Sequence, residues 1–492
     1  MEQNKEISTC VQVEVLRKNV PLEFGAEISL PDYRSEISRL LWVRPTVLPP
    51  AHFVGGGNAD FSGRVCYQVL YAGPDGALHV AELEDSYGFS LPVDGEMPSF
   101  SVCVVPDAVI GRVVAPRKLT VRCRANAQVQ GYADACLGKE ISSEFLDRSC
   151  VLTQRAESGR FVCATGEGVE IGEDFAANGI TEILYVRAES FFSDISVGEG
   201  CVRCRGDVVA TLLCRAEEDG TPLTLTRRLP CSFEMPVAGV DSFYRACVST
   251  VVSEVSAVVD EGRISLSLLL LPRVEAIKNE PITYLRDLFL PGKLVRCGTE
   301  NKRLWQGVLC ANRNFSISEG IPLSELHLLP DDVIIDAYAE AELKAGEGLG
   351  GEICCHVLYC RGKEFAVCEA NIPFRIPLED GTAGACTSSH VPILRMHVEG
   401  DKLRVDAELA VSLRAVKEAQ IMALESVQEL DEAVRGHLGV ELCYPAPADT
   451  MWEIGKRYGV VPDRIAEANG VTGADVAQPL AELGVRCLRI PF

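Results

Sequence analysis

The most regular hydrophobic pattern in the chain is an alternation of apolar and polar residues over nine positions, and it occurs three times. Its copies are Gly63–Tyr71, Gly206–Cys214 and Gly351–Tyr359, which begin 143 and then 145 residues apart. In every copy a charged residue follows the glycine, and apolar residues stand two, four and six positions after it. A period of two residues is typical of a β-strand with one face against a core. The pattern therefore predicts the same half-buried strand in three places.

Two further strand-like features follow each copy in the same order. The first is an apolar stretch that ends on proline, and the second is a longer alternating stretch. The stretches ending on proline are Phe89–Pro92, Phe233–Pro236 and Phe374–Pro377, and the longer ones are Leu119–Ala127, Ile264–Leu270 and Leu403–Val411. Because this period is much longer than that of solenoid repeats, the repeats are predicted to be tandem domains. We expect a mainly β fold with three β-sandwich-like repeat domains, over residues 1–155, 156–300 and 301–435.

Other segments are assigned from local composition. Glu280–Phe289 and Lys417–Glu432 are candidate links or helices at domain ends, and Ala415–Leu438 is helix-like in composition and is expected to lead into the last domain. The glycine-rich stretch Gly346–Gly351 fits G-x-G-x-x-G, but it opens a strand rather than a helix. A hairpin loop is therefore favoured over a phosphate-binding turn.

The last fifty residues have a different pattern. Asp449–Tyr458 is predicted to be a helix with Asp449 as its N-cap, and Gly459 is placed to end it. Pro462–Asn469 is predicted to be a second helix, with proline at its start and Asn-Gly at its end. Val485–Pro491 is a closing strand. We expect a small α+β (βααβ) domain over residues 440–492.

Composition limits the choice of partners. The chain of 492 residues carries a net charge of −23, which argues against nucleic acid and anionic lipid as ligands. Its longest apolar run, Ile264–Leu271, is far shorter than the ~18 residues of a membrane span, so no membrane insertion is expected. The N-terminus has no apolar signal core, which predicts a cytoplasmic protein.

The 21 cysteines do not indicate a metal site. Cys201 and Cys204 form an isolated C-x-x-C without a second pair, so no metal and no cofactor is expected. Cys354, Cys355 and His356 are consecutive and point to alternate faces, and His356 is expected to be solvated. Buried reduced thiols, filling cores as small apolar side chains, are preferred over disulfides that form in an oxidising environment. Cys123, Cys214 and Cys355, at alternating strand positions, are expected to be such buried thiols.

Catalytic patterns are not found either. The seven histidines are scattered, and neither H-E-x-x-H nor G-x-S-x-G occurs. The acidic pair Asp331 and Asp332 carries little information among 70 acidic residues and is expected to face water. The chain is therefore predicted not to be an enzyme, and no catalytic residue is assigned.

The C-terminal segment resembles the LysM module, a small domain that usually binds N-acetylglucosamine chains. The resemblance is carried by a set of matching landmarks across the module: Tyr444, Asp449, Thr450, Trp452, Ile454, Tyr458–Val460, Ile465, Asn469 and Leu488–Pro491. Ala448 and the Pro479–Gly484 turn depart from the usual LysM pattern, and both flank the groove. The resemblance implies that this groove binds a partner protein or a glycan through Asp449, Thr450, Met451, Asn469, Gly470 and Val471. A purely structural role for Asp449 and Thr450, as caps of the first helix, is the alternative.

The whole chain is similar to the SPOCS-domain spore coat assembly proteins that carry a C-terminal LysM module. The phrase Leu30–Tyr33, the three repeated strands and the terminal module carry this resemblance. It implies a non-enzymatic scaffold that works in the mother-cell cytoplasm and becomes associated with the forespore coat surface. Its implied partners are the spore coat morphogenetic ATPase, bound by the LysM module, and other coat proteins. The alternative is a cell-wall adaptor that binds peptidoglycan through the same module.

Overall fold

The fold is mainly β, as the alternating patterns predict. The computed structural model describes residues 9–93, 99–138, 141–346, 348–376, 383–433, 439–471 and 475–492. Strands make up 74% of it and helices 5%, and the strands form several separate sheets. Within the described residues every paired strand runs antiparallel to its neighbour, which suits short hairpin connections.

The first set of strands forms two sheets. Its strands are β1 (Thr9–Phe24), β2 (Glu27–Ser29), β3 (Arg39–Val47), β4 (Ala51–Gly55), β5 (Asn58–Ala72), β6 (Leu78–Pro92), β7 (Ser99–Ala115) and β8 (Lys118–Leu137). In one sheet β1, β2 and β7 all pair with β8, and in the other β3, β4 and β6 all pair with β5. The repeated strand and the long alternating strand are therefore the central strands of two different sheets.

The second set follows a short helix and has the same pairing scheme. Its elements are α1 (Ser143–Asp147), β9 (Cys150–Thr165), β10 (Val169–Ala176), β11 (Ile180–Gly198), β12 (Cys201–Ala216), β13 (Pro222–Pro236), β14 (Arg245–Asp260) and β15 (Arg263–Phe289). Strands β9, β10 and β14 pair with β15, while β11 and β13 flank β12. The boundary placed at residue 155 from the sequence falls inside β9.

The third set repeats the scheme with fewer breaks in its strands. Its strands are β16 (Lys293–Pro322), β17 (Val333–Gly346), β18 (Gly348–Arg361), β19 (Glu364–Ile376), β20 (Ala383–Glu399) and β21 (Lys402–Ala433). Strands β16 and β20 flank β21, and β17 and β19 flank β18. The register of β17 with β18 places Gly346 opposite Gly348, as in a hairpin. Residue 300 lies inside β16, and Pro377 lies outside the described residues.

A hydrophobic core lies between the two sheets of every set. The apolar positions two, four and six residues after the repeated glycine are all fully buried. They pack against the buried alternating residues of β8, β15 or β21. Cys123, Cys214 and Cys355 are also fully buried in these cores, as predicted for thiols that act as small apolar side chains. Burial raises the pKa of Cys214 to about 11, so this thiol is a poor nucleophile.

The other face of the repeated strands is buried at one equivalent position. Leu70, Leu213 and Leu358 occupy the same position in β5, β12 and β18, and each is no more than 1% exposed. They belong to one cluster in which Trp42 contacts Tyr338 at 5.2 Å between ring centroids. The three sets of strands therefore meet through their equivalent strands.

A second contact of Tyr338 overturns the prediction that His356 is solvated. Its ring stacks on Tyr338 at 4.5 Å between centroids, and its side chain is 21% exposed. Cys354 lies on the same side of the strand, with its Sγ 3.7 Å from His356 Nε2. The sequence suggested a solvent face because its residues are polar, whereas the ring of Tyr338 on the neighbouring strand covers His356.

The prediction that Asp331 and Asp332 face water is wrong for Asp332. This residue is 5% exposed, and its carboxylate accepts hydrogen bonds from Arg361 at 2.9 and 2.6 Å. It also accepts the backbone N–H of Leu329 at 2.7 Å. The Arg361 hydrogen bonds hold the pKa of this carboxyl below its usual range. Asp332 thus closes a loop rather than acting as a free acid.

The ends of the long strands form paired ribbons that extend away from the sandwich cores. Glu280–Phe289 lies in β15 and residues 415–433 lie in β21, so the helices expected there are wrong; residues 434–438 lie outside the described part of the chain. The ribbons pack against one another in a cluster that draws on all three sets: Val11, Leu137, Ile282, Tyr284, Leu304, Ile421 and Ala423. Long-range pairing with β9 and β16 overrides the helix-like composition.

A buried ionic network lies near the base of the ribbons. Gln130, Glu275 and Arg414 each stand 11 residues after the first buried residue of β8, β15 and β21 (Leu119, Ile264 and Leu403). They are therefore equivalent positions of the three sets. Arg414 donates to Gln130 Oε1, and its Nε lies 3.2 Å from Glu275 Oε2.

Glu275 also contacts a second arginine on its own strand. Its Oε1 accepts hydrogen bonds from Arg273 Nη2 at 2.6 Å and from Ser101 Oγ at 2.6 Å. The side chains of Glu275 and Arg414 are 2% and 3% exposed. Burial alone would raise the pKa of Glu275, but the guanidinium groups of Arg414 and Arg273 hold it below its ordinary value. The carboxylate is charged and bridges two sets of strands.

We expect Glu275→Gln to destabilise the protein by about 3–5 kcal/mol, because it leaves two buried guanidinium groups without their counter-charge. Thermal unfolding followed by circular dichroism measures this change. Glu234→Gln is the matched control, since its ion pair with Arg203 lies on the surface, and it should unfold almost as the unsubstituted protein does.

The pH dependence provides a second readout of the same substitution. A carboxyl whose pKa is lower in the folded state stabilises the fold above its unfolded pKa, and this contribution is lost as pH falls. The difference in unfolding temperature between the protein and Glu275→Gln should therefore shrink below about pH 4. A difference that stays constant down to pH 3 would contradict a charged Glu275.

Candidate functional site: the C-terminal module

The C-terminal segment forms a separate small module with its own core. Its elements are β22 (Val440–Cys443), α2 (Met451–Tyr458), α3 (Pro462–Asn469) and β23 (Leu488–Pro491), and β22 pairs antiparallel with β23. The order strand, helix, helix, strand is the one expected. Its core consists of the following residues: Cys443, Met451, Ile454, Val460, Ile465, Leu480, Leu488 and Ile490.

The start of α2 differs by one residue from the prediction. Thr450, not Asp449, is the N-cap, and its Oγ1 accepts the N–H of Glu453 at 3.2 Å. Glu453 in turn accepts the N–H of Thr450 at 3.0 Å, which completes a capping box. The reciprocal pair requires a residue with a hydroxyl three positions before Glu453, and Thr450 meets this requirement.

Asp449, the residue before the N-cap, joins the preceding loop to α2. Its carboxylate accepts the N–H of Ala446 at 3.0 Å and two hydrogen bonds from Arg457, the shorter at 3.1 Å. Burial opposes the charged form, but the Ala446 N–H and Arg457 lower the pKa of Asp449 below its ordinary value. The carboxylate folds the loop before α2 onto the helix.

The second half of the predicted groove begins where α3 ends. Gly470 adopts φ 65°, a left-handed conformation that favours glycine, and no atom lies within 4 Å of the space where a Cβ would point. Val471 packs against the same core as Met451, which is only 4% exposed. The two predicted segments therefore approach the same core, but Met451 is buried within it.

The side-chain carboxamide of Asn469 makes three hydrogen bonds within the module. Its Nδ2 donates to the carbonyl oxygens of Ile465 and Arg489, each at 2.7 Å. Its Oδ1 accepts the N–H of Arg489 at 2.7 Å. Both donor hydrogens and one acceptor site of the carboxamide are thus occupied, and they fasten α3 to β23. Of the six predicted site residues, Asp449, Thr450, Met451 and Asn469 have clear structural roles.

We expect Asn469→Ala to destabilise the module by about 1–3 kcal/mol, because it leaves backbone groups of β23 and α3 without partners. Hydrogen exchange of Leu488–Pro491, measured by mass spectrometry on the full-length protein, should become faster. Glu467→Ala, at an exposed position on the same helix, is the control. If Asn469 only contacted a ligand, exchange in β23 would not change.

The module docks on the end of the β15 ribbon through its tryptophan. Trp452 is 4% exposed, its ring lies 5.1 Å from that of Phe289, and its Nε1 donates to Asp287 Oδ2 at 2.8 Å. Lys456, one turn along α2, donates to both oxygens of Asp287 at 2.6 and 2.7 Å. Gly292 N–H donates to the Gly459 carbonyl at 3.2 Å. These contacts hold α2 against the second strand set.

The outer face of β22 is apolar and exposed. Val440 and Leu442 lie on one side of the strand and are 54% and 59% exposed, and Tyr444, the residue directly after β22, is 75% exposed. We call these three residues the β22 stripe. Cys443 points to the opposite side, into the core. In the sequence, the stripe is marked by large apolar residues at every second position from 440 to 444, outside the predicted groove.

We expect Asp287→Ala to release the module from the ribbon, because it removes the acceptor shared by Trp452 and Lys456. Fluorescence emission of Trp452 should shift to longer wavelength as the ring becomes hydrated, and amides of α2 should exchange faster. The Trp452→Phe variant identifies the contribution of this ring among the three tryptophans. Asp463→Ala, at an exposed position on α3, should leave the spectrum unchanged.

Comparison of the chain with models of protein families, with curated proteins and with solved structures finds no match. Of the helices in the described ranges, none combines the length and the apolar character that crossing a membrane requires. Across the same ranges, no three His, Cys, Asp or Glu side chains are placed to share a metal ion.

Proposed function

We propose that the protein is a non-enzymatic scaffold of spore coat assembly. Three β-sandwich-like repeat domains form its body, and a LysM-type module at its C-terminus docks to the spore coat morphogenetic ATPase. It acts in the mother-cell cytoplasm and becomes associated with the forespore surface. The resemblance of the sequence supplies the biological setting, and the arrangement of the module supports the mode of action.

The observation that carries this proposal is the contrast between the two surfaces of the module. In the groove where a glycan would bind, the side chains of Asp449, Thr450 and Asn469 already make hydrogen bonds within the protein. The β22 stripe, in contrast, exposes three large apolar side chains within five consecutive residues. Exposed apolar surface of this kind favours a protein partner over a carbohydrate chain.

The attachment of the module to the ribbon also supports a scaffold. Asp287 holds α2 by contacts to Trp452 and Lys456, while Glu275 joins two of the strand sets. A partner bound to the module is thereby held at a defined position relative to the repeat domains. Such an arrangement suits a protein that positions other proteins, including further coat proteins bound by the repeats.

A test uses the tagged full-length protein, purified coat morphogenetic ATPase and purified peptidoglycan sacculi. We expect the ATPase to be retained and the protein not to sediment with sacculi. Leu442→Glu combined with Tyr444→Glu should reduce retention at least about tenfold, since it places charge on the apolar contact. Phe243→Glu combined with Val258→Glu, at exposed apolar positions of the second strand set, should retain the ATPase normally.

The alternative function is a cell-wall adaptor that binds peptidoglycan. Gly470 favours this function, because the space beside the residue is open and its backbone is accessible to a sugar. Sedimentation with sacculi without retention of the ATPase would support this adaptor and would overturn the scaffold.

A further inference from the structure

Two cysteines face each other near the beginning of the first ribbon. Cys10 of β1 is the direct register partner of Cys136 of β8, and their Sγ atoms are 2.8 Å apart. Cys10 is exposed and Cys136 is partly buried. We propose that Cys10 and Cys136 form a redox modification site, which closes to a disulfide when a small-molecule disulfide reaches the ribbon.

The geometry requires little movement. A disulfide has an S–S length of about 2.05 Å, so the two sulfur atoms need to approach by only about 0.8 Å. Residues directly opposite on antiparallel strands have Cβ atoms about 4.5–5.5 Å apart, close to the separation in a disulfide. The bond therefore forms across the existing pairing of β1 and β8 without a change of register.

Accessibility distinguishes this pair from the other thiols in contact. Cys247 and Cys310, on β14 and β16, also interact with each other, but they are 1% and 3% exposed. A reagent in solution cannot reach them in the folded protein. The repeated-strand thiols Cys214 and Cys355 are equally buried. Selectivity for the Cys10–Cys136 pair thus follows from its position at the surface of a ribbon.

The reaction is a thiol–disulfide exchange in two steps. The thiolate of one cysteine attacks a sulfur of the small-molecule disulfide, forms a mixed disulfide and releases one small thiolate. The thiolate of the other cysteine then attacks the protein sulfur of the mixed disulfide and releases the second small thiolate. The two cysteines lose two protons and two electrons, and the reagent is reduced to two thiols.

The bond would fasten the first strand of the described chain. Strand β1 is held by its pairing with β8, by packing of Val11 among the three ribbons, and by a 2.6 Å hydrogen bond from Thr9 Oγ1 to the Thr283 carbonyl. A link from residue 10 to residue 136 closes the whole first strand set into one loop, which limits the unfolded chain. Oxidation would therefore make the ribbon bundle harder to open.

The test treats the native full-length protein with oxidised glutathione, blocks remaining thiols by alkylation and maps disulfides by mass spectrometry without reduction. We expect a peptide that links Cys10 to Cys136 as the first product, with Cys247 and Cys310 recovered as free thiols after alkylation in denaturant. The unfolding temperature should rise by about 4 °C or more, and a reductant should reverse the rise.

Cys10→Ser and Cys136→Ser provide the controls, because neither position is in a core. Each variant should keep the unfolding temperature of the reduced protein and lose the rise on oxidation. Stable glutathione adducts on Cys10 or Cys136 without a link between them would overturn the proposal. A scrambled set of linked peptides, with no preference for this pair, would overturn it as well.

Discussion

The ion network around Glu275 is the constraint on which the arrangement of the three strand sets depends. A buried carboxylate is expensive to desolvate, and here its charge is offset by Arg273 on the same strand and Arg414 on another set. Arg414 compensates the charge of Glu275 only when the second and third strand sets are packed as observed. A packing that separated Glu275 from Arg414 would leave buried charges unpaired, a cost that the apolar contacts of Leu70, Leu213 and Leu358 do not impose.

The length of strand β15 determines where the C-terminal module docks. Because the ribbon of β15 extends beyond its sandwich, Asp287 and Phe289 are available to receive Trp452. Docking of this face of α2 settles which surfaces of the module remain accessible, and the β22 stripe is among them. A small module that would be mobile on a linker is thus held at the end of a long β structure. This is the physical basis of the scaffold that we propose.

The predictions from sequence were most reliable where a local pattern is sufficient. Period-two alternation identified the core residues of β5, β12 and β18, because one face of these strands always meets the opposite sheet. Pro462, Gly459 and Gly470 marked the helix ends correctly, since these residues have strong conformational preferences. In the candidate site, the loops around α2 and α3 could be located, but the internal hydrogen bonds of Asn469 could not.

The sequence by itself determined the mainly β class, the threefold recurrence of strands and the element order of the C-terminal module. Each of these follows from spacing along the chain, which reflects local backbone geometry. Only the tertiary structure decided that 415–433 is a strand, that Asp332 and His356 are covered, and that Gln130, Glu275 and Arg414 converge. The strand at 415–433 and the ionic network depend on partners more than one hundred residues away, whereas Asp332 and His356 are covered by Arg361 and by Tyr338 on a neighbouring strand. In each case the partner is chosen by tertiary packing, and no local pattern carries that information.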